Sequence, residues 1–235
     1  MALLRERDLP DMERAVEAVE RQLRDHVAPA WERLPASVGL YRSLDEVPFG
    51  AYVVVIDDGD PDKPGLLGYH DEEGLPVGKV LLGPIRALGG DVITGRYAVS
   101  KTLSHEVVEM FANRGVDRWR DTPEGLLTPE ELCDPVQEDY VVVHTKKGFS
   151  VPVSNFVYPA YYDEQDLGAD TQYDHNRSLS RPFSLSAGGY WIIRDPKSGD
   201  VRLEFGSQVS TAEKSYFEHK ARYLGVRARS VYVPR

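Results

Sequence analysis

The chain has 235 residues, 41% of them hydrophobic, and carries a formal net charge of -10 with a pI of about 5.1. That length suits one sizeable globular domain, and the acidic balance argues against a nucleic-acid surface. The single cysteine, Cys133, excludes an intrachain disulfide and a cysteine-rich zinc ribbon, so a reducing cytoplasm suits the chain.

In chain order, Arg5, Glu6, Arg7 and Asp8 come too early for a signal-peptide apolar region, and no later segment is long and apolar enough to span a bilayer. The expectation is a cytoplasmic protein with no membrane partner. Met12, Val16, Val19, Leu23, Val27 and Ala30 recur at helical spacing within residues 10–31, which predicts an amphipathic helix with Asp8 as its cap and Pro10 in its first turn. Pro29 is expected to kink or end it. Residues 51–56 are a β-branched run that reads as a buried strand, stopped by Asp57, Asp58, Gly59 and Asp60 in an ordinary Asp/Gly turn. Residues 66–70 and 76–82 predict two further strands joined across 71–74, with His70 and Lys79 as surface residues. Residues 88–95 form a glycine-containing connection without the further residues of a phosphate loop.

The chemistry is concentrated in Ser104-His105-Glu106-Val107-Val108-Glu109-Met110-Phe111. Leu103, Val107, Met110 and Phe111 supply an apolar stripe, with Ser100 or Thr102 as cap and a stop near Asn113-Arg114-Gly115. Four residues apart on a helix, His105 and Glu109 share a face and are candidate metal ligands, and Glu106 between them is the candidate general base. The pattern is the zinc-peptidase helix H-E-x-x-H with glutamate in place of the second histidine. In that chemistry the i and i+4 residues hold the metal, and the intervening glutamate takes a proton from metal-bound water.

Downstream, Thr128 followed by Pro129 and Glu131 reads as a capping box opening a short helix that Pro135 ends. Glu131 then has a structural role as the third helical residue, which favours Asp134 over Glu131 as the third metal ligand. Residues 140–145 and 149–153 predict a hairpin around Lys146-Lys147-Gly148, and 188–193 with 201–205 a second one. Between them lies an aromatic stretch, 155–162, and a polar loop, 163–181, of a length often functional or mobile. Residues 211–224 predict a final helix, followed by a basic tail. No G-x-S-x-G elbow is present for a serine hydrolase.

The helix motif, Glu131-Leu132-Cys133-Asp134-Pro135, Val153-Ser154-Asn155-Phe156-Val157-Tyr158-Pro159 and Gly188-Gly189-Tyr190 together resemble a largely uncharacterised family of bacterial and phage proteins with a zincin-like helix. The likeness covers residues 50–195 and touches Gly68-Tyr69-His70-Asp71-Glu72. It implies a metallopeptidase-like fold in which the helix carries metal ligands and a downstream acidic segment completes the site. Glu109 departs from the histidine of well-studied zincins.

The sequence thus predicts an α+β fold: a zincin-like mixed sheet with the N-terminal and metal-site helices, then β hairpins, in one domain over residues 1–210, with a C-terminal helix and tail over 211–235. The expected function is metal-dependent hydrolysis of a peptide or amide bond, with Glu106 as base and His105, Glu109 and Asp134 as ligands. Zinc is the first candidate, and the oxygen-rich set leaves manganese or calcium open. The alternative is a structural or interaction protein, phage- or virion-associated, that keeps the helix as a structural or vestigial site and binds protein partners.

Overall fold

The computed structural model describes residues 4–62, 66–71, 77–163, 165, 168 and 170–207. The chain is a mixed α+β protein with few helices and several small sheets. In order the elements are α1 (Leu9–Gln22), α2 (Ala28–Ala30), β1 (Val53–Asp57), β2 (Gly68–Asp71), β3 (Val77–Leu81), α3 (Leu82–Ala87), α4 (Val99–Asn113), β4 (Trp119–Asp121), β5 (Leu127–Pro129), β6 (Tyr140–His144), β7 (Ser150–Ser154), β8 (Tyr190–Arg194) and β9 (Val201–Phe205). Two compact units interleave along the chain: Met1–Phe111 with Tyr140–Ser154, and Ala112–Asp139 with Asn155–Arg235. The expected helix at 211–224 and the link at 72–76 lie outside the described residues. Among the described residues no helix is long and apolar enough to cross a membrane.

The first unit holds a three-stranded sheet in the order β1-β3-β2, with β1 parallel and β2 antiparallel to β3. The register sets His70 opposite Gly78 and Gly68 opposite Val80, and pairs Val54 with Gly78 and Ile56 with Val80. These residues share one face by the two-residue period of a strand. The core joins Met12, Ala15, Ala18 and Val19 of α1 to Val80, Ile85, Val99, Leu103, Val143, Val151 and Val153. Each fully buried Met, Val or Ile side chain among them stabilises by about 1.5–3 kcal/mol. β1 departs from expectation, because all five of its residues are only partly buried. It forms one end of the sheet, where among the described residues no strand lies on its outer flank.

Helix boundaries differ from the sequence reading for identifiable reasons. Between Gln22 and Ala28 the chain makes a π turn, Leu23–Val27, in which the Ala28 N–H reaches back to the Leu23 carbonyl. The wider turn relieves the crowding a proline ring imposes on the preceding turn, and the helical path continues past Pro29 to Ala30. α4 starts without Ser100 or Thr102 as a side-chain cap. The Val99 and Ser100 N–H groups donate to the Asp91 and Val92 carbonyls at 3.0 and 2.9 Å. Ser100 Oγ instead donates to the Pro152 carbonyl at 2.6 Å and ties the helix to β7. At the other end the Asn113 side chain closes α4: its Oδ1 accepts from the Asp117 and Arg118 N–H groups at 3.1 and 3.0 Å.

In the second unit the order is β4-β5-β8-β9, all antiparallel. The short helix expected from Thr128 is absent. Thr128 pairs with Arg120 in the β4-β5 ladder, and only a 3-10 turn, Asp134–Val136, follows. Pairing with a neighbouring strand overrides the local capping signal. The loop at 163–181 is anchored at Asp174, which is fully buried. Its Oδ2 accepts from Asn155 Nδ2 at 2.7 Å and from the Ser178 N–H at 3.1 Å, and its Oδ1 accepts from the Leu179 N–H at 2.8 Å.

Asp8, expected as the cap of α1, makes no side-chain cap bond there. Its Oδ2 accepts from the Arg5 N–H at 2.9 Å and from the Arg86 guanidinium at 2.6 Å. Burial pushes the Asp8 pKa up, but these two donors outweigh it and hold the group below the ordinary carboxylate value. The ion pair therefore contributes its full stability above pH of about 4 and loses it as pH falls through the depressed folded-state value. We expect Asp8→Asn to lower the unfolding free energy by about 1–3 kcal/mol at pH 7 in urea titrations. The gap to the parent protein should close on acidification; an unchanged gap at low pH would contradict this assignment.

Candidate metal centre

In the first unit α4 and β2 bring four ionisable side chains together. His105, Glu106 and Glu109 come from the helix and His70 from the strand. Glu109 Oε2 lies 3.2 Å from His105 Nε2 and 3.7 Å from His70 Nδ1. His70 Nδ1 lies 3.0 Å from Glu106 Oε2. All four are shielded from solvent, with side-chain exposures of 3% for His70, 6% for Glu106, 1% for Glu109 and 14% for His105. His70, Glu106 and Glu109 each offer a ligand atom, and the three atoms lie within 4.8 Å of one another.

Glycine makes this approach possible. A Cβ at Gly68 would stand 2.6 Å from Thr102 Cγ2, 2.9 Å from the Lys79 carbonyl and 3.0 Å from Glu106 Oε1. One at Gly78, opposite His70, would meet Met110 Sδ at 3.0 Å and Val54 Cγ2 at 3.1 Å. Neither strand could lie this near α4 with a side chain at both positions.

The spacings can be compared with two kinds of cation. Two ligands on one tetrahedral ion with bonds of about 2.1 Å stand roughly 3.4 Å apart. A shared proton holds its partners at about 2.7–3.2 Å. The His70–Glu106 contact fits a hydrogen bond, whereas the 3.7 Å from His70 to Glu109 is too long for one and within reach of an ion's coordination sphere. Two imidazoles and buried carboxylate oxygens form a donor set suited to zinc and other first-row divalent ions. The cluster therefore fits a metal.

His105 and Glu109 thus share a face as the helical spacing predicts, and Glu106 and His70 join them. His70 is not the surface residue the sequence suggested, because the β2-β3 register turns it toward α4 along with Gly68. The available signal was the two-residue alternation linking Gly68 and His70, readable only once the buried face is known. Lys79 points to the opposite face, one-third exposed, 3.7 Å from Asp60 and 4.0 Å from Asp57.

Asp134, the expected third ligand, belongs to the second unit, where it is 2% exposed. Glu130 and Glu131 are equally buried there, and Arg120 Nε donates to Glu130 Oε1 at 2.5 Å. With no helix at 128–134, Glu131 is not a capping residue, and the reason for ranking it below Asp134 disappears. Burial, then Asp134, pushes the Tyr161 hydroxyl far above the ordinary phenol value. Burial, then Tyr161 and the three nearby carboxylates, does the same to Tyr162.

No family model, curated protein or solved structure matches this chain. The resemblance to a zincin-like family therefore rests on its motifs.

Gly68→Ala should destabilise the protein by about 1–3 kcal/mol, as overpacking against backbone does. Gly78→Ala should cost less, because its neighbours are side-chain atoms of Met110 and Val54 at 3.0 Å or more, with no backbone atom among them. Chemical denaturation of the two variants reads the order directly, and equal losses would refute close packing at Gly68.

Proposed function

We propose that this chain is a metal-dependent hydrolase of peptide or amide bonds, built as a zincin-like variant in which strand β2 supplies the second imidazole. One observation carries the reading: Glu109 Oε2 sits between His105 Nε2 at 3.2 Å and His70 Nδ1 at 3.7 Å. Two histidines and one glutamate are also the ligand set of thermolysin-type zinc sites. The glutamate at position 109 then replaces the usual helical histidine without loss of an imidazole from the set, since His70 restores it.

A bound divalent ion would polarise the scissile carbonyl and lower the pKa of water, with zinc the first candidate and manganese the next. Glu106 is the general base of the scheme. It takes a proton from the attacking water and returns it to the leaving amine. Glu106 Oε2, 3.0 Å from His70 Nδ1, stands beside the same centre. β2 ends the three-stranded sheet, so an extended peptide or protein segment pairing alongside it would pass the His70 side chain.

A second reading, an assembly protein, draws on Leu34, Leu44 and Phe49, which are exposed in the first unit. The aromatic stretch at 155–162 gives it little support, because Tyr161 within it is 1% exposed.

Elemental analysis of the purified protein, with and without chelator, should find about one divalent ion per chain, and turnover of a quenched peptide library should require it. His70→Ala should lose the ion. Glu106→Gln should keep the ion and lose about 100-fold or more in kcat, as expected for removal of a general base. Metal-free protein, or full turnover by Glu106→Gln, would sink the proposal.

A further inference from the structure

β1 stands at one end of its sheet and reads Val53-Val54-Val55-Ile56-Asp57. Among the described residues β3 is its only strand neighbour, and none of its backbone groups bonds to another segment. Every second residue of such a strand turns its N–H and C=O groups outward, so β1 presents a row of donors and acceptors that no strand takes up. Edge strands are commonly blunted by lysine, proline, an inward-pointing charge or a bulge. Residues 53–56 contain no lysine, proline or charge, and the register with β3 runs from Val53 to Asp57 without a bulge. Four β-branched residues in succession favour pairing, yet all stay only partly buried. Phe49 and Tyr52, just before the strand, are exposed as well.

One occupant fits this edge by symmetry. Antiparallel pairing of β1 with β1 of a second copy sets Val55 opposite Val55, Val54 opposite Ile56 and Val53 opposite Asp57. Directly opposed residues share a face, so Val54 and Ile56, which pack on the core, remain on the core face in both copies. The same register keeps the acidic turns apart. Asp57 of one copy and Asp57 of the other stand four residues apart along the strands, about 14 Å at 3.4 Å per residue. That exceeds the screening length of about 10 Å in 0.1 M salt.

We propose that this edge is the interface of a two-fold dimer, in which two copies of β1 pair antiparallel about Val55 and join their sheets into one. Such an interface is self-complementary, as closed two-fold dimers require. β2, which carries His70, lies at the other end of the sheet beyond β3. The dimer therefore neither requires nor blocks the hydrolase reading.

Sedimentation equilibrium of the full-length protein should give twice the 26.4 kDa of one chain. Val55→Lys sets lysine opposite lysine and should weaken the dimer by on the order of tenfold or more. Val53→Lys, on the same face two residues away, sets lysine opposite Asp57 and should leave the dimer intact. Val55→Asp should also run as a monomer, and mixing it with Val55→Lys in equal amounts should recover the dimer. Recovery on mixing requires folded chains, which separates a lost interface from misfolding. A parent protein of monomer mass would overturn the proposal and leave a foreign extended segment as the occupant of the edge. Equal effects of Val55→Lys and Val53→Lys, or no recovery on mixing, would overturn it too.

Discussion

A strand can place a side chain on a helix only if its backbone comes within reach of that helix, and in the first unit this depends on two positions without a Cβ. Gly68 lies against Thr102 and Glu106 of α4, and Gly78 against Met110. The antiparallel register then fixes what arrives beside them: His70, directly opposite Gly78. If either strand were lifted by the thickness of a methyl group, the His70 imidazole would move away from both Glu106 and Glu109. The cluster is therefore a consequence of backbone approach before it is one of charge.

Charge explains why such an arrangement is uncommon in a protein interior. Carboxylates at Glu106 and Glu109 are nearly fully shielded, and burying a carboxylate is tolerated only with a partner and hydrogen bonds. Here the partners are imidazoles, one from the same helix face and one from a strand. Stability in this region comes mainly from the apolar residues around it. Leu103 packs with Val99, Val80 and the α1 face, so the charged cluster is carried by a helix anchored elsewhere along its length. Ser104 adds a polar anchor, its Oγ accepting from the Ser154 N–H at 2.5 Å.

The second unit solves a different problem, the ordering of a long polar segment without regular structure. Asp174 gathers the Asn155 side chain and the Ser178 and Leu179 N–H groups around one buried carboxylate. Next to it, Tyr158 and His175 share a 2.9 Å hydrogen bond, and His175 stacks on Phe156 with ring centroids 5.1 Å apart. A segment whose length and polarity suggest mobility is thereby held in place over these residues.

The sequence alone determined what short-range physics controls. The period of 3.6 in α1 and α4 located both helices, and the i, i+4 spacing set His105 and Glu109 on one face. Turn residues at Lys146-Lys147-Gly148 and at Asp195-Pro196-Lys197-Ser198-Gly199-Asp200 placed both hairpins. What it could not determine were features set by partners distant in the chain. Thr128 carries a capping signal, yet β4 captures it as a strand. Ser100 resembles a cap but bonds to β7, 52 positions away. His70 became a member of the cluster only when β3 fixed the register of β2, because a one-residue slip would have turned it to the face that Lys79 occupies. Local pattern encodes which groups lie on one face of an element, whereas which face meets which is decided by packing across the fold.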